Sequence, residues 1–272
     1  MDFNAIAFRS LLLSFFTVSS LLSVNYSDMN EYYKLAKSAC GFHISIYFNA
    51  YWYGSAFSFN PILVKGCAST AAHELCVCVS NDGKIMAVHD GKKVPLVLGS
   101  IPMYKENIDA IKKHANLSEN DKIGLYTLNR NFEKNWAGLT ELEKIQPIIS
   151  HKYPTTDYGA PKFIDLVRAV RDLDKRDETE EKIAYVHCKA GRGRSAVTVA
   201  AYLLHVCNKA GIAAKPAHIE EYLIAQRNRV KMNAEHRQTL ERFAHELKES
   251  GNFEKLYARY KAEAEKRDQE FC

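Results

Sequence analysis

No two pairs of cysteine or histidine in this 272-residue sequence stand at the spacing of a zinc finger. The seven cysteines are odd in number and follow no repeating interval, which argues against a disulfide framework and for a reducing compartment. In "HELCVC" (His73 to Cys78), Cys76 and Cys78 would share one face of a strand. They read as buried core cysteines or, on geometry alone, as half of a metal site whose second ligand pair is missing. Charge of one sign is lacking too. Lys and Arg number 37 against 32 Asp and Glu, for a net charge of +5, and the basic residues are scattered among the acidic ones. A nucleic-acid binder concentrates them in a patch or stripe, so no nucleic-acid partner is expected. No internal repeat is present.

An apolar run of membrane-spanning length, about 20 residues, is also missing. The longest candidate, "SLLLSFFTVSSLLSV" (Ser10 to Val24), has 15 residues and is rich in serine. It is long enough for the apolar part of a signal peptide, but Asp2 offsets Arg9 before it and no clear small-x-small cleavage site follows. A secretion signal, a membrane-surface anchor and a packed helix all fit residues 1–30. The aromatic stretch "GFHISIYFNAYWYGSAFSF" suggests packing against a partner layer or a groove.

What is present is enough apolar residue, 47%, for a full core in one large domain with extensions. "LCVCVSNDGKIMAVHDGKKVPLVLG" reads as short strands joined at Asn81-Asp82-Gly83 and Asp90-Gly91. "NIDAIKKHA" reads as a helix, "KIGLYTLN" (Lys122 to Asn129) as a strand and "IISHKYP" as another. Thr140, three residues before Glu143, predicts a capping box that starts a helix over "LTELEKI". Pro161 predicts a helix start, with Phe163, Leu166, Val167, Val170 and Leu173 on one apolar face. The strand "IAYVH" and a strongly apolar helix ending near Gly211 follow. Further helices are expected from Pro216 to about Asn228, from Glu235 to about Ser250, and in the charged run "EKLYARYKAEAEKRDQE", read as solvated. Strands alternating with helices, then helices alone, predict an α/β fold: a central, mostly parallel sheet flanked by helices, with a mainly helical C-terminal half.

The junction between that strand and that helix, "HCKAGRGRS" (His187 to Ser195), carries the chemistry. A glycine-containing loop leading into a helix N-terminus converges backbone N–H groups on one point, where the helix adds about half a positive charge. Gly191 and Gly193 let the backbone curl. Arg194 can offer two phosphate oxygens a planar fork of donors. The same field acts on Cys188. A free thiol is only about 3% thiolate at pH 7, and a helix N-terminus beside arginine lowers its pKa by roughly 1 to 5 units. An activated, exposed thiolate aimed at a bound phosphate is the expectation.

The stretch resembles the signature of the cysteine-dependent protein tyrosine and dual-specificity phosphatase superfamily, His-Cys-x5-Arg-Ser/Thr. The resemblance implies a dual-specificity phosphatase-like fold. It implies Cys188 as nucleophile, Arg194 as phosphate clamp, Ser195 easing departure of the thiolate, and His187 holding the loop. The backbone of Lys189, Ala190, Gly191, Arg192, Gly193 and Arg194 would bind the phosphate oxygens. A general acid on an upstream loop is implied as well, and "YPTTDYGAP" supplies Asp157, 31 residues before Cys188. Asp165 and Asp172 would lie near the polar face of a helix. "LVLGSIP", "IGLYTLNRNFE", Trp136, "TTDYGAP" and the signature occur in the order seen in these enzymes. They are similar to the mitochondrial phosphatidylglycerophosphate phosphatase subgroup, whose signature also begins Cys-Lys-Ala-Gly-Arg. The match covers about residues 95 to 245, and departs at "RVKMNAEHRQTLERF", where His236 stands in place of an expected glutamine.

The expected division is an apolar segment at 1–30, an aromatic-rich extension at 31–94, a catalytic domain at 95–250 and a charged C-terminal helix at 251–272. The expected function is hydrolysis of a phosphomonoester through a cysteinyl-phosphate, on phospholipid or phosphoinositide headgroups or on phosphoproteins. Lys189 and Arg192, with Arg194, would make the pocket unusually positive, and the resemblance then favours a lipid or other polyanionic phosphate. A dual-specificity protein phosphatase and a phosphate-binding module without turnover are the alternatives. A phosphorylated lipid or protein is the expected partner, with a membrane surface as a further contact. No metal or other cofactor is expected, because the loop and Arg194 supply the positive charge. Reducing cytosol, a membrane-associated site and export of a bacterial protein into a host cell all fit the thiol.

Overall fold

The computed structural model describes residues 62–63, 75–80 and 84–271. Residues 10–24, the aromatic stretch up to residue 59, the turn at 81–83, His73 and the side chains of Cys76 and Cys78 lie outside the described set.

Seven strands are described. β1 (Ile62–Leu63), β4 (Leu96–Ser100), β5 (Lys122–Thr127), β6 (Ile148–Lys152) and β7 (Glu181–Cys188) form one sheet in the order β1-β4-β7-β5-β6. The pairings β4–β7, β7–β5 and β5–β6 are parallel, and β1 runs antiparallel at one edge. Central strands of a parallel sheet are covered on both faces and read as unbroken apolar runs. Accordingly, all five residues of β4 are buried, and in β7 every residue but Lys182 is. Ser100 pairs with Cys188 and Thr127 with His187, so β4, β7 and β5 end at one edge of the sheet. In open α/β sheets such a carboxyl edge is where ligands bind.

β2 (Leu75–Val79) and β3 (Ile85–Asp90) form a separate antiparallel hairpin. Ile85, Val88 and Val94 belong to the main core. A buried ion pair fixes the end of β3: Arg176 holds Asp90, and the Tyr202 hydroxyl donates to Asp90 at 2.9 Å. The Arg176 Nε donates to the Val94 carbonyl at 2.7 Å.

The described α-helices are α1 (Lys105–His114), α2 (Asn131–Trp136), α3 (Leu139–Ile145), α4 (Phe163–Asp174), α5 (Arg194–Lys209), α6 (Pro216–Gln226), α7 (Ala234–Ser250) and α8 (Phe253–Phe271). α5 is buried from Arg194 to Cys207, which explains a sequence apolar all round. None of the described helices is long and apolar enough to cross a membrane.

Four local expectations need correction. The capping box at Thr140 does not form. Gly138, at φ +68°, ends α2 and starts α3 directly, so Thr140 falls inside the first turn. Its hydroxyl donates to Asn135 Oδ1 at 2.8 Å, and Glu143 receives Lys134 and Ser150. α4 begins at Phe163, two residues after Pro161. Asp165 is not on a polar face: it is buried and paired with Arg168 at 3.0 Å. The run in α8 is not wholly solvated. Leu256 and Ala264 are buried, Tyr260 meets Phe163 edge-on at 5.2 Å, and Arg171 of α4 lies 5.1 Å over the Tyr257 ring.

Candidate active site

Cys188 is the last residue of β7, and the loop Lys189–Gly193 carries the chain from it into α5. The carbonyls from Lys189 to Arg192 are all engaged by groups outside the loop. Lys189 C=O accepts from Ile101 N–H at 3.3 Å, and Arg192 C=O from Lys231 N–H at 3.0 Å. Arg227 supplies the two between, its Nε donating to Gly191 C=O at 3.2 Å and its Nη2 to Ala190 C=O at 3.5 Å. With four successive carbonyls tied outward, the amides of the same peptides face inward, which is the geometry of an anion nest. Gly191 sits at φ +66°, and a Cβ there would lie 2.5 Å from the Gly99 carbonyl group at the end of β4. Only glycine takes that conformation in that space.

Cys188 Sγ lies 3.3 Å from Ser195 Oγ on the first turn of α5. Burial pushes the thiol up. The Arg194 guanidinium, the Ser195 hydroxyl and the N–H groups of Ser195 and Arg192 outweigh burial, and the net shift is downward. The thiol is 3% exposed, a correction to the exposed sulfur expected above. Cys207, the other free cysteine described, is pushed up to about 12 by burial alone. Two thiols on adjacent elements thus differ because only one has a cation and donors around it.

Arg194 is buried, and both of its terminal nitrogens are engaged. Its Nη1 and Nη2 donate to the two oxygens of Glu133 at 2.8 and 2.9 Å, a bidentate fork. Nη1 also donates to Thr155 C=O at 2.9 Å, and Nη2 to Asp157 Oδ1 at 2.8 Å. Asp157 receives a second cation, Lys189 Nζ, on Oδ2 at 2.7 Å. Burial raises the Asp157 carboxyl, but the charges of Arg194 and Lys189 overcome it and hold it below the usual range. Lys189 is therefore buried against Asp157, its ammonium 5.9 Å from the Tyr158 ring, while Arg192 is exposed. Two cations meet two carboxylates here, so the cradle interior is charge-balanced rather than strongly positive.

His187 stands between the start of the loop and β5, with the backbone of Cys188 among the groups that act on its ring. Its Nε2 shares a 2.9 Å hydrogen bond with the Thr127 hydroxyl on β5. Burial, with the charge of Lys134, lowers it to about 3, so the ring is neutral.

Two site residues escaped sequence reasoning. Glu133 caps α2, accepting from Arg130 N–H at 3.0 Å, besides holding Arg194. The capping-box spacing from Arg130 could have flagged it, but arginine is not a usual first member. Arg227 follows the end of α6 as the first of three basic residues in five, with Arg229 and Lys231, where nothing in the pattern separates it from its exposed neighbours.

A cysteine whose thiol is shifted downward, a loop whose carbonyls are tied up from Lys189 to Arg192, and a guanidinium stand together at the carboxyl edge of a parallel sheet. The chain belongs to the family described as Swiss Army Knife protein, DSP-PTPase phosphatase domain, whose model matches residues 98–249. Among curated proteins it is 30% identical over 151 residues to phosphatidylglycerophosphate phosphatase PTPMT2 of Arabidopsis thaliana, covering 55% of this chain and 59% of that one. It is 34% identical over 115 residues to phosphatidylglycerophosphatase and protein-tyrosine phosphatase 1 of Rattus norvegicus, covering 42% and 56%. The chain thus spans less than two thirds of the length of either relative. A solved structure of PTPMT1 in complex with PI(5)P is 26% identical, covers 57% of this chain and 92% of that one, and has a TM-score of 0.44.

Proposed function

We propose that this protein hydrolyses phosphomonoesters on a phospholipid headgroup through a phosphocysteine intermediate. The observation that carries the reading is the downward-shifted Cys188 thiol beside Ser195, in one loop with Arg194. The relatives named for phosphatidylglycerophosphate support the lipid. In the first step the Cys188 sulfur donates an electron pair to phosphorus as the P–O bond to the leaving group breaks. The loop amides and Arg194 hold the equatorial oxygens, where charge accumulates. Asp157 gives its proton to the departing oxygen. In the second step Asp157 takes a proton from water, the water oxygen attacks phosphorus, and the P–S bond breaks with its electrons returning to sulfur. Ser195 then hydrogen-bonds the released thiolate.

Asp157 is held ionised by two cations, yet the first step needs it protonated. The incoming phosphate resolves this. A dianion competing for Arg194 and Lys189 takes both cations from Asp157 and places negative charge near it, and both changes raise a carboxyl pKa. Binding thereby prepares the acid. We take residues 95–250 as the unit that does this, with 1–30, 31–94 and 251–272 as flanking segments. Exposed Arg192 and Tyr158, the latter 61% accessible, suit a headgroup presented at a membrane surface.

The test is phosphate release from short-chain phosphatidylglycerophosphate, short-chain phosphoinositides and phosphotyrosine peptides. We expect kcat/KM for a lipid to exceed that for the peptides by at least about tenfold. The rat relative's name also includes protein-tyrosine phosphatase, which supports a protein-directed second reading. Preference for the peptide would select it, and no release from any substrate would remove both.

A further inference from the structure

His236 stands where the sequence resemblance led us to expect glutamine, and the structure surrounds it with direct contacts to the Asp157 loop. Asn233 caps α7, its side chain accepting from His236 N–H at 2.9 Å. In return the His236 Nδ1 accepts from Asn233 N–H at 3.2 Å. A neutral imidazole that accepts at Nδ1 carries its proton at Nε2, and Nε2 lies 3.0 Å from the Gly159 carbonyl, to which it donates. The ring also backs the cradle. A Cβ at residue 193 would lie 2.6 Å from His236 Cε1 and 3.0 Å from its Nε2. One side chain therefore touches the phosphate loop at Gly193 and the acid loop at Gly159, two residues from Asp157.

The rest of the α7 start grips the same loop. Asn233 Nδ2 donates to Tyr158 C=O at 2.6 Å, and Glu235 Oε1 accepts from Ala160 N–H at 3.0 Å. Tyr158 sits at φ +62°, a left-handed backbone that an aromatic residue keeps only when its surroundings enforce it.

We propose that His236, neutral with its proton on Nε2, is a positioning residue that clamps the Asp157 loop to the phosphate loop, and that protonation of Nδ1 opens the clamp. This rests on the phosphatase reading above. A protonated Nδ1 presents a hydrogen to the Asn233 N–H, donor against donor, so the ring must leave the cap. The charged groups facing His236 are Glu235 and Arg237 on its own helix and Arg194 on α5. Burial disfavours the imidazolium, Arg194 and Arg237 add to this, and Glu235 and the Gly159 carbonyl oppose it, with a net lowering. The clamp is thus closed at neutral pH and opens on acidification.

The experiment compares wild type, His236→Ala and His236→Gln on phenyl phosphate and p-nitrophenyl phosphate. Phenolate is the poorer leaving group and needs the Asp157 proton. His236→Ala is expected to lower kcat on phenyl phosphate roughly 10- to 100-fold, with a much smaller loss on p-nitrophenyl phosphate and little change in KM. Glutamine can accept from Asn233 N–H and donate to Gly159 C=O without titrating. His236→Gln is therefore expected to restore most of kcat and to move the acid limb of the pH profile to lower pH. Equal losses on both substrates, or a glutamine variant as slow as the alanine one, would overturn the proposal. Nitrogen-15 NMR of the wild-type ring gives a check that needs no turnover. The Nε2-protonated tautomer is expected at neutral pH, and an Nδ1-protonated or charged ring there would also overturn it. Absence of hydrolysis with the expected tautomer would instead strike at the phosphatase reading.

Discussion

Cys188→Ser is expected to bring hydrolysis of p-nitrophenyl phosphate down to the uncatalysed background, a loss of at least about 10⁴-fold by analogy with removal of other catalytic nucleophiles. The size follows from what surrounds the sulfur. Arg194, Ser195 and the loop amides lower the Cys188 thiol enough to overcome burial. The same field cannot ionise an alkyl hydroxyl, and among the described residues the side-chain hydrogen-bond partner of the Cys188 sulfur is a hydroxyl, that of Ser195, rather than a base. Phosphate binding should survive. The four outward carbonyl bonds of the loop and the Arg194 fork are untouched by the change. Calorimetry with inorganic phosphate therefore separates lost chemistry from lost binding. A substantial residual rate in the serine variant would remove Cys188 from the chemistry.

Asp157→Ala is expected to lower kcat on phenyl phosphate by about 10²- to 10⁴-fold, the usual contribution of a general acid. On p-nitrophenyl phosphate the loss should be far smaller, because nitrophenolate leaves without a proton. The alkaline fall in kcat, where the acid loses its proton in the complex, should flatten in the variant. A further consequence concerns binding. Asp157 accepts from Arg194 Nη2 and Lys189 Nζ. Removing the carboxylate frees both for an incoming anion, so the variant should bind inorganic phosphate more tightly than wild type. Equal kinetic losses on both leaving groups, or weaker phosphate binding, would contradict the assignment.

The sheet and most of the helices were legible because their signals are local. β7 and α5 are unbroken apolar runs on either side of a nine-residue motif, and the face of α4 repeats at helical spacing. The residues of the motif were legible for the same reason: Cys188, Arg194 and Ser195 are fixed by one loop. What could not be read was their company. Glu133 lies 61 residues from Arg194 along the chain, and Lys189 lies 32 from Asp157. Counting Lys189 as a free positive charge was reasonable for a loop residue, and only the fold brings Asp157 against it. The buried Asp90–Arg176 pair is a similar case, 86 residues apart, and it ties β3, which lies just before the stretch the resemblance covers, to the core. Thr140 failed for a local reason: the left-handed Gly138 starts α3 before the cap position is reached. His236 was noticed as a departure, but its contacts with residues 159 and 193 needed the third dimension.

The central claim concerns a bond, and it can be caught directly. Wild-type protein mixed with an aryl phosphate, quenched in acid within the first turnover and digested, is expected to yield the peptide containing Cys188 with one phosphoryl group on its sulfur. The Asp157→Ala variant, with no base for the second step, should accumulate more of it, and Cys188→Ser none. Phosphate release at full rate with that peptide unmodified throughout would mean that water attacks phosphorus directly, and the thiolate would have no place in the reaction.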